Sequence, residues 1–149
     1  MKKLLVPTDG SEFSKRAMEK AAEIAKAFDA TVVVVNVNDL RVPRYSGNTG
    51  SLADIGGAYF KLIEESTENT KKILDEAYNY FSNLNIKVEQ HELDGDPGNR
   101  IAQYAEENND IYMIIMGSQG IDSGIQKFLL GSVTNKVLNR TDKPILIIK

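Results

Sequence analysis

Thr31-Val32-Val33-Val34-Val35-Asn36-Val37 is the stretch that decides the fold. It is β-branched and almost wholly apolar, so it reads as a strand buried on both faces, as in a parallel sheet. Upstream, Phe13, Ala17, Ala21, Ile24 and Phe28 share one helical face, with Glu and Lys between them. Asp9 or Ser11 is placed to cap that helix. Before it, Leu4 to Pro7 is a short apolar run that ends in Pro7-Thr8-Asp9-Gly10, a strand followed by a turn. Downstream, residues 38–57 contain Pro43, Gly47, Gly50, Gly56 and Gly57 and read as a long loop, expected to be the most mobile region.

Helical spacing returns in Tyr59, Leu62, Ile63, Ile73, Leu74, Ala77, Phe81 and Leu84. Ile86 to Leu93 alternates as a strand does. Asp96-Pro97 reads as an N-cap with Pro at the first helical position, and Ile101, Tyr104 and Ala105 supply that helix's buried face. Ile111 to Met116 is a further buried strand, Val133 to Arg140 a helix, and Ile145 to Ile148 a last strand. Strand and helix alternate throughout, which implies parallel strands joined by right-handed crossovers. The expected fold is therefore α/β: a single domain over 1–149, a doubly wound, Rossmann-like five-stranded parallel sheet in order 3-2-1-4-5 with helices on both faces. Ligands of such sheets bind beyond the carboxyl ends of the strands, where strand order reverses. The loops at Thr8-Asp9-Gly10, Val37-Asn38-Asp39 and Gly117 to Gly120 converge there if strands one and four are neighbours.

Composition narrows the function classes. A net charge of −3 and a pI near 5.2 leave no electrostatic footprint for nucleic acid. The chain has no cysteine, which removes disulfides, thiolate catalysis and thiolate metal sites. The apolar N-terminal run stops at Pro7-Thr8-Asp9, too short for a secretory segment, and no run is long enough for a membrane helix. The cytoplasm is the expected compartment.

The chemistry concentrates in Met116-Gly117-Ser118-Gln119-Gly120, followed by Gly131-Ser132-Val133. There is no G-x-x-x-x-G-K-[ST], and no G-x-G-x-x-G after the first strand. Gly117 and Gly120 let backbone approach a polyanion, and Gly131-Ser132 opens a helix whose unpaired N–H groups favour phosphate. Turn glycines and an ordinary helix cap would produce the same spacing. Asp9 can accept hydrogen bonds from ribose hydroxyls or an exocyclic amine, or simply cap the first helix.

Nearly the whole chain resembles the nucleotide-binding universal stress proteins. The resemblance rests on Val6-Pro7-Thr8-Asp9-Gly10-Ser11, Val35-Asn36-Val37, Gly95-Asp96-Pro97, Met116-Gly117-Ser118-Gln119-Gly120, Leu129-Leu130-Gly131-Ser132-Val133-Thr134 and Lys143-Pro144-Ile145-Leu146-Ile147-Ile148. It implies ATP, or ADP or AMP, with or without Mg, as ligand. Gly117, Gly120, Gly131 and Ser132 would hold phosphates and ribose, with Met116 and Val133 beside them. Asp9 would contact the nucleoside, and Val37 and the Pro7-Thr8 backbone would frame adenine. The sequence departs from the family's G-x2-G-x9-G-[ST] pattern in enclosing ten residues, Ile121 to Leu130, between Gly120 and Gly131. The extra residue falls at Ile121-Asp122, where it can shift a phosphate cradle. Tyr112 stands where the family commonly has Asp, at the strand end away from the expected nucleotide.

The remaining polar residues carry less. His91, the one histidine, has no nucleophile or metal-ligand partner at a recognisable spacing and reads as an ordinary strand residue. Glu64-Glu65 and Glu106-Glu107 read as solvated helix faces, and Tyr59, Tyr78 and Tyr80 as packing of the long helix. Lys127 and Lys136 flank the cradle; either could neutralise phosphate, though each reads first as a solvated lysine, and Asp122 could reach a phosphate-bound Mg²⁺. No arginine finger and no carboxylate pair for metal and water stand beside the glycines, so no catalytic residue is assigned and at most a weak ATPase is expected. Adenylyl-transfer signatures are absent. The last strand, 145–148, is an apolar edge in this topology, and pairing two copies across it gives a homodimer, as the resemblance also implies. No nucleic-acid or membrane partner is expected.

Overall fold

A computed structural model of the chain describes residues 2–39, 52–120 and 129–149. The elements alternate as β1 (Lys3–Pro7), α1 (Glu12–Phe28), β2 (Thr31–Asn38), α2 (Leu52–Asn83), β3 (Val88–Asp94), α3 (Pro97–Glu107), β4 (Ile111–Gly117), α4 (Ser132–Leu138) and β5 (Ile145–Ile148). The five strands are all parallel, in order β3-β2-β1-β4-β5. The expected fold class and strand order are both present.

β2 shows why. Its side chains alternate between the two faces of the pleat. Val32 and Val34 join Leu4, Val6, Ala17, Ala21, Leu74, Ala77 and Phe81, so one face packs on α1 and α2. Val33 and Val35 join Leu5, Ile101, Ala105, Ile114, Met116 and Val137, so the other packs on α3 and α4. Each of the four valines is at most 1% exposed. Burying such a side chain contributes about 1.5–3 kcal/mol, and a polar residue at any of the four would face apolar neighbours on either side.

Four expectations need correction. Residues 52–57 are helical and not loop, because α2 begins at Leu52; residues 40–51 lie outside the described residues. Gly56 and Gly57 each cost a helix about 1 kcal/mol, but propagation from a formed helix needs one bond per residue, and α2 has 32 residues to supply it. Phe28 is 77% exposed and not on the buried face, since α1 ends there in a left-handed cap at Asp29. Leu62 is also exposed, because the buried apolar side chains of α2 lie further along, at Leu74, Ala77 and Phe81. Ile86 precedes β3: it closes the turn after α2, its N–H donating to the Phe81 carbonyl at 3.1 Å.

Candidate functional site

The sheet reverses direction of winding between β1 and β4, and the carboxyl ends of β1, β2 and β4 open on one edge. At the end of β1, the Thr8 N–H donates to the Val35 carbonyl at 2.9 Å, and Asn36 Nδ2 donates to the Thr8 carbonyl at 2.7 Å. The chain then turns through Gly10, whose φ of +80° suits glycine. Asp9 Oδ1 accepts the Ser11 N–H at 2.9 Å, an Asx turn. Ser11 Oγ accepts the Ser14 N–H at 3.2 Å. Of the two cap candidates, Ser11 is therefore the N-cap of α1, and Asp9 shapes the turn before it.

The end of β4 is held from two sides. Ser118 N–H donates to the Ile148 carbonyl at 2.7 Å, and Gly117 lies against the backbone of Phe13. The Gly131 N–H donates to the Ser118 carbonyl at 2.8 Å, and Thr134 Oγ1 donates to the Gly117 carbonyl at 3.0 Å. These bonds bring Gly131-Ser132 back to Gly117-Gly120, whatever path residues 121–128 take. Asp122 and Lys127 fall among those residues, outside the described ones, as does the site of the extra loop residue. Gly131 is the N-cap of α4 and offers no side-chain bond. By α-helix geometry the N–H groups of the first turn have no partner within the helix.

Between these ends is a cleft of about 410 Å³. Pro7, Thr8, Asp9, Val37, Met116, Gly117, Ser132 and Val133 line it. Gly120 and Gly131 do not line it but stand at its edge. A Cβ on Gly120 would come within 2.8 Å of Asp9 Oδ2, and one on Gly131 within 3.2 Å of Gln119 Cα. Val35, Val37, Ile101 and Met116 give the cleft an apolar portion, and Asn36, Asp39, Asp96 and Lys136 are further polar members. Asn36 had a signal in the sequence, as the one polar residue inside the β2 valine run. Asp96 stood out in the sequence as a helix cap and Lys136 as a neighbour of the cradle, but nothing in the sequence paired them: only packing of α3 on α4 brings them together.

Lys136 is not the solvated lysine its sequence context suggests. Its Nζ donates to Asp96 Oδ2 at 2.8 Å and Oδ1 at 3.0 Å. Asp96 Oδ1 also accepts the Asn99 N–H at 3.0 Å, capping α3 as expected, with Pro97 opening the helix. Lys136 reaches Asp96 because Gly98 has no side chain: a Cβ there would lie 2.7 Å from both Cβ and Cδ of Lys136.

Elsewhere, His91 is a half-exposed residue of β3, its ring 5.6 Å from that of Tyr104. Tyr112 sits at the opposite end of β4 from the cleft, with the Lys2 ammonium 3.8 Å from its ring centroid. Tyr80 packs on the core formed with α1, and burial raises its hydroxyl pKa, helped by Glu19 and Glu23. Glu106 is more than a solvated face. It accepts from Thr141 Oγ1 and, at 3.0 Å, from the Asp142 N–H, and these bonds hold its carboxyl below the usual range. Among the described residues no helix is long and apolar enough to cross a membrane, and no three His, Cys, Asp or Glu side chains cluster as metal ligands.

The Universal stress protein family profile matches residues 1–149. Universal stress protein MJ0531 of Methanocaldococcus jannaschii is 32% identical over 99% of this chain and 82% of its own. Universal stress protein YxiE of Bacillus subtilis is 30% identical over 99% and 98%. Among solved structures, the protein MJ0577 superposes with a TM-score of 0.80 at 28% identity, covering 99% of this chain and 95% of that one. A universal stress protein solved in complex with cAMP superposes with a TM-score of 0.70 at 25% identity, covering 99% and 97%. The chain belongs to the universal stress protein family.

Proposed function

We propose that this protein binds an adenine nucleotide, ATP foremost, in the cleft between the carboxyl ends of β1, β2 and β4. The observation that carries the reading is the joining of an apolar portion and a polar, backbone-rich portion in one cleft at the sheet's point of reversal. Val35, Val37 and Met116 suit a purine face. Asp9 suits ribose hydroxyls or an exocyclic amine. The first turn of α4, with Ser132 and the backbone at Gly117 and Gly120, suits phosphate. Asp9 and Asp39 add carboxylates to the cleft lining, which suits a nucleotide that brings Mg²⁺ with it. A relative solved with cAMP supports the ligand class.

The role that follows is a signalling or stress-response module in which nucleotide occupancy alters a partner surface, with at most weak ATP hydrolysis. We place it in the cytoplasm and assign it a homodimeric state through β5. That strand is an edge of the sheet, and Ile145 to Ile148 are each only part-buried.

Heat-denaturing the purified protein and analysing the released small molecules by mass spectrometry tests the ligand. An adenine nucleotide is expected at a substantial fraction of the protein. No nucleotide, together with no calorimetric signal on titration with Mg-ATP, would leave a dimerisation module without a nucleotide. Light scattering that gives a monomer mass at micromolar concentration would overturn the dimer.

A further inference from the structure

The Asp96–Lys136 pair bridges the N-terminal end of α3 to α4 at the wall of the cleft. Three features set it apart from the ion pairs on the outer helix faces. Both carboxylate oxygens of Asp96 engage one ammonium, at 2.8 and 3.0 Å. The lysine stem crosses Gly98 at a distance that no other residue there would permit without displacement. Both side chains line the cleft that also contains Ser132 and Val133. Lys136 stands one turn beyond Ser132 on α4, and helical side chains lean toward the helix N-terminus, so its stem points back over the turn that carries Ser132.

We propose that Asp96 and Lys136 form an exchangeable latch that reads the number of phosphates on the bound nucleotide. The proposal rests on the nucleotide reading above. The Lys136 ammonium is neutralised by Asp96. A polyphosphate entering the cleft competes with Asp96 for it, and a nucleoside monophosphate, with a shorter chain and less charge, does not. Both side chains are about one-third exposed, at 38% and 31%, so the pair is one that water already screens and that releases at little cost. Exchange leaves Asp96 on the Asn99 N–H, so α3 keeps its cap while its link to α4 is broken. Loss of that link turns the number of phosphates into a change in how α3 and α4 are joined on one face of the sheet.

The test is calorimetric titration of the full chain with AMP and with Mg-ATP, using wild type, Lys136→Met, Lys136→Gln and Asp96→Asn, with thermal midpoints to establish folding. Asn caps a helix as Asp does, so Asp96→Asn removes the competitor and spares the cap. Lys136→Met and Lys136→Gln, which lack the charge-assisted bond to phosphate, should weaken ATP about tenfold and change AMP by less than about twofold. Asp96→Asn should tighten ATP about threefold or more by the same reasoning. On wild type, ¹⁵N-lysine NMR should show the Lys136 ammonium signal moving with ATP and staying with AMP. Equal losses for AMP and ATP, weakened or unchanged ATP binding by Asp96→Asn, or an unmoved Lys136 signal in ATP each overturn the latch and leave the nucleotide reading standing. A wild-type chain that binds neither nucleotide overturns both.

Discussion

Gly117, at the end of β4, and Phe13, in the first turn of α1, touch so closely that a Cβ on the glycine would lie 2.7 Å from Phe13 Cβ and 2.8 Å from its carbonyl carbon. Gly117 is thus required by packing before any ligand is considered. A bulkier residue at 117 therefore acts on the fold as well as on any ligand. At 117 the obstruction is backbone, which cannot swing aside. Gly117→Ala is expected to cost about 1–3 kcal/mol of overpacking, measured as a lower urea midpoint at unchanged slope. At Gly131 the nearest atom to a new Cβ is Gln119 Cα at 3.2 Å, so Gly131→Ala should cost less.

Gly120 lets binding be separated from stability. A Cβ there meets the far end of a flexible side chain, Asp9 Oδ2 at 2.8 Å. Gly120→Ala should displace the Asp9 carboxylate and weaken nucleotide about tenfold, the equivalent of one charge-assisted hydrogen bond, while shifting the unfolding midpoint little. Titration calorimetry beside a urea melt reads both. Wild-type affinity in this variant would remove Asp9 from the ligand contacts.

Phe81 and Phe28 separate the two ends of the burial scale. Phe81 is fully buried between α2 and the sheet, and Phe28 is 77% exposed. Phe81→Ala should cost about 3–5 kcal/mol, and Phe28→Ala should stay within about 0.5 kcal/mol of wild type. Denaturant unfolding followed by far-ultraviolet circular dichroism measures both.

Ser11 caps α1 while itself buried. Ser11→Ala removes the acceptor for the Ser14 N–H, and a loss of about 0.5–2 kcal/mol is expected. Ser11→Asp, which restores an acceptor, should recover part of it.

Lys3 straps the amino-terminal edge of the sheet. Its ammonium lies 2.9 Å from Glu89 at β3 and 3.0 Å from Asp110 just before β4. The hydrogen bonds that the Lys3 ammonium donates to Glu89 and then to Asp110 raise the Lys3 pKa, and accepting that bond lowers the pKa of Asp110. A depressed carboxylate stabilises the fold above its unfolded pKa, and that contribution is lost as pH falls through the folded value, below 3.8. The raised lysine contributes below its unfolded value of 10.5 and loses that contribution as pH rises through its higher folded value. Both carboxylates are well exposed and Lys3 is partly so, so Lys3→Met should cost only about 0.2–1 kcal/mol at neutral pH. That difference should vanish at both extremes of a pH series of urea midpoints.

The element order was legible because period-2 and period-3.6 hydrophobicity are local properties. The valines of β2 called for burial on both faces, and both faces are covered. Asp96-Pro97 announced its helix through cap chemistry confined to four residues. Gly56 and Gly57 misled for the same reason that local signals work: two glycines argue for a loop, and only the length of α2 outweighs them. Phe28 misled because helical spacing does not say where a helix runs past the sheet. In the cleft, Thr8, Asp9 and Gly117 could be chosen from the sequence because each immediately follows or ends a strand. Lys136 could be placed beside the cradle, but its pairing could not be read, since its partner Asp96 lies forty residues away at the start of another helix.

By itself the sequence determined the alternation of strands and helices, the parallel sheet, the family, and the loops that meet at its carboxyl edge. These follow from patterns read within one element or one turn. The tertiary structure alone decided that Gly117 answers to Phe13, that Ser11 and not Asp9 caps α1, and that Asp96 holds Lys136 across Gly98. Each of these depends on distances between segments far apart in the chain, and such distances are set by how helices pack on the sheet and not by any local propensity.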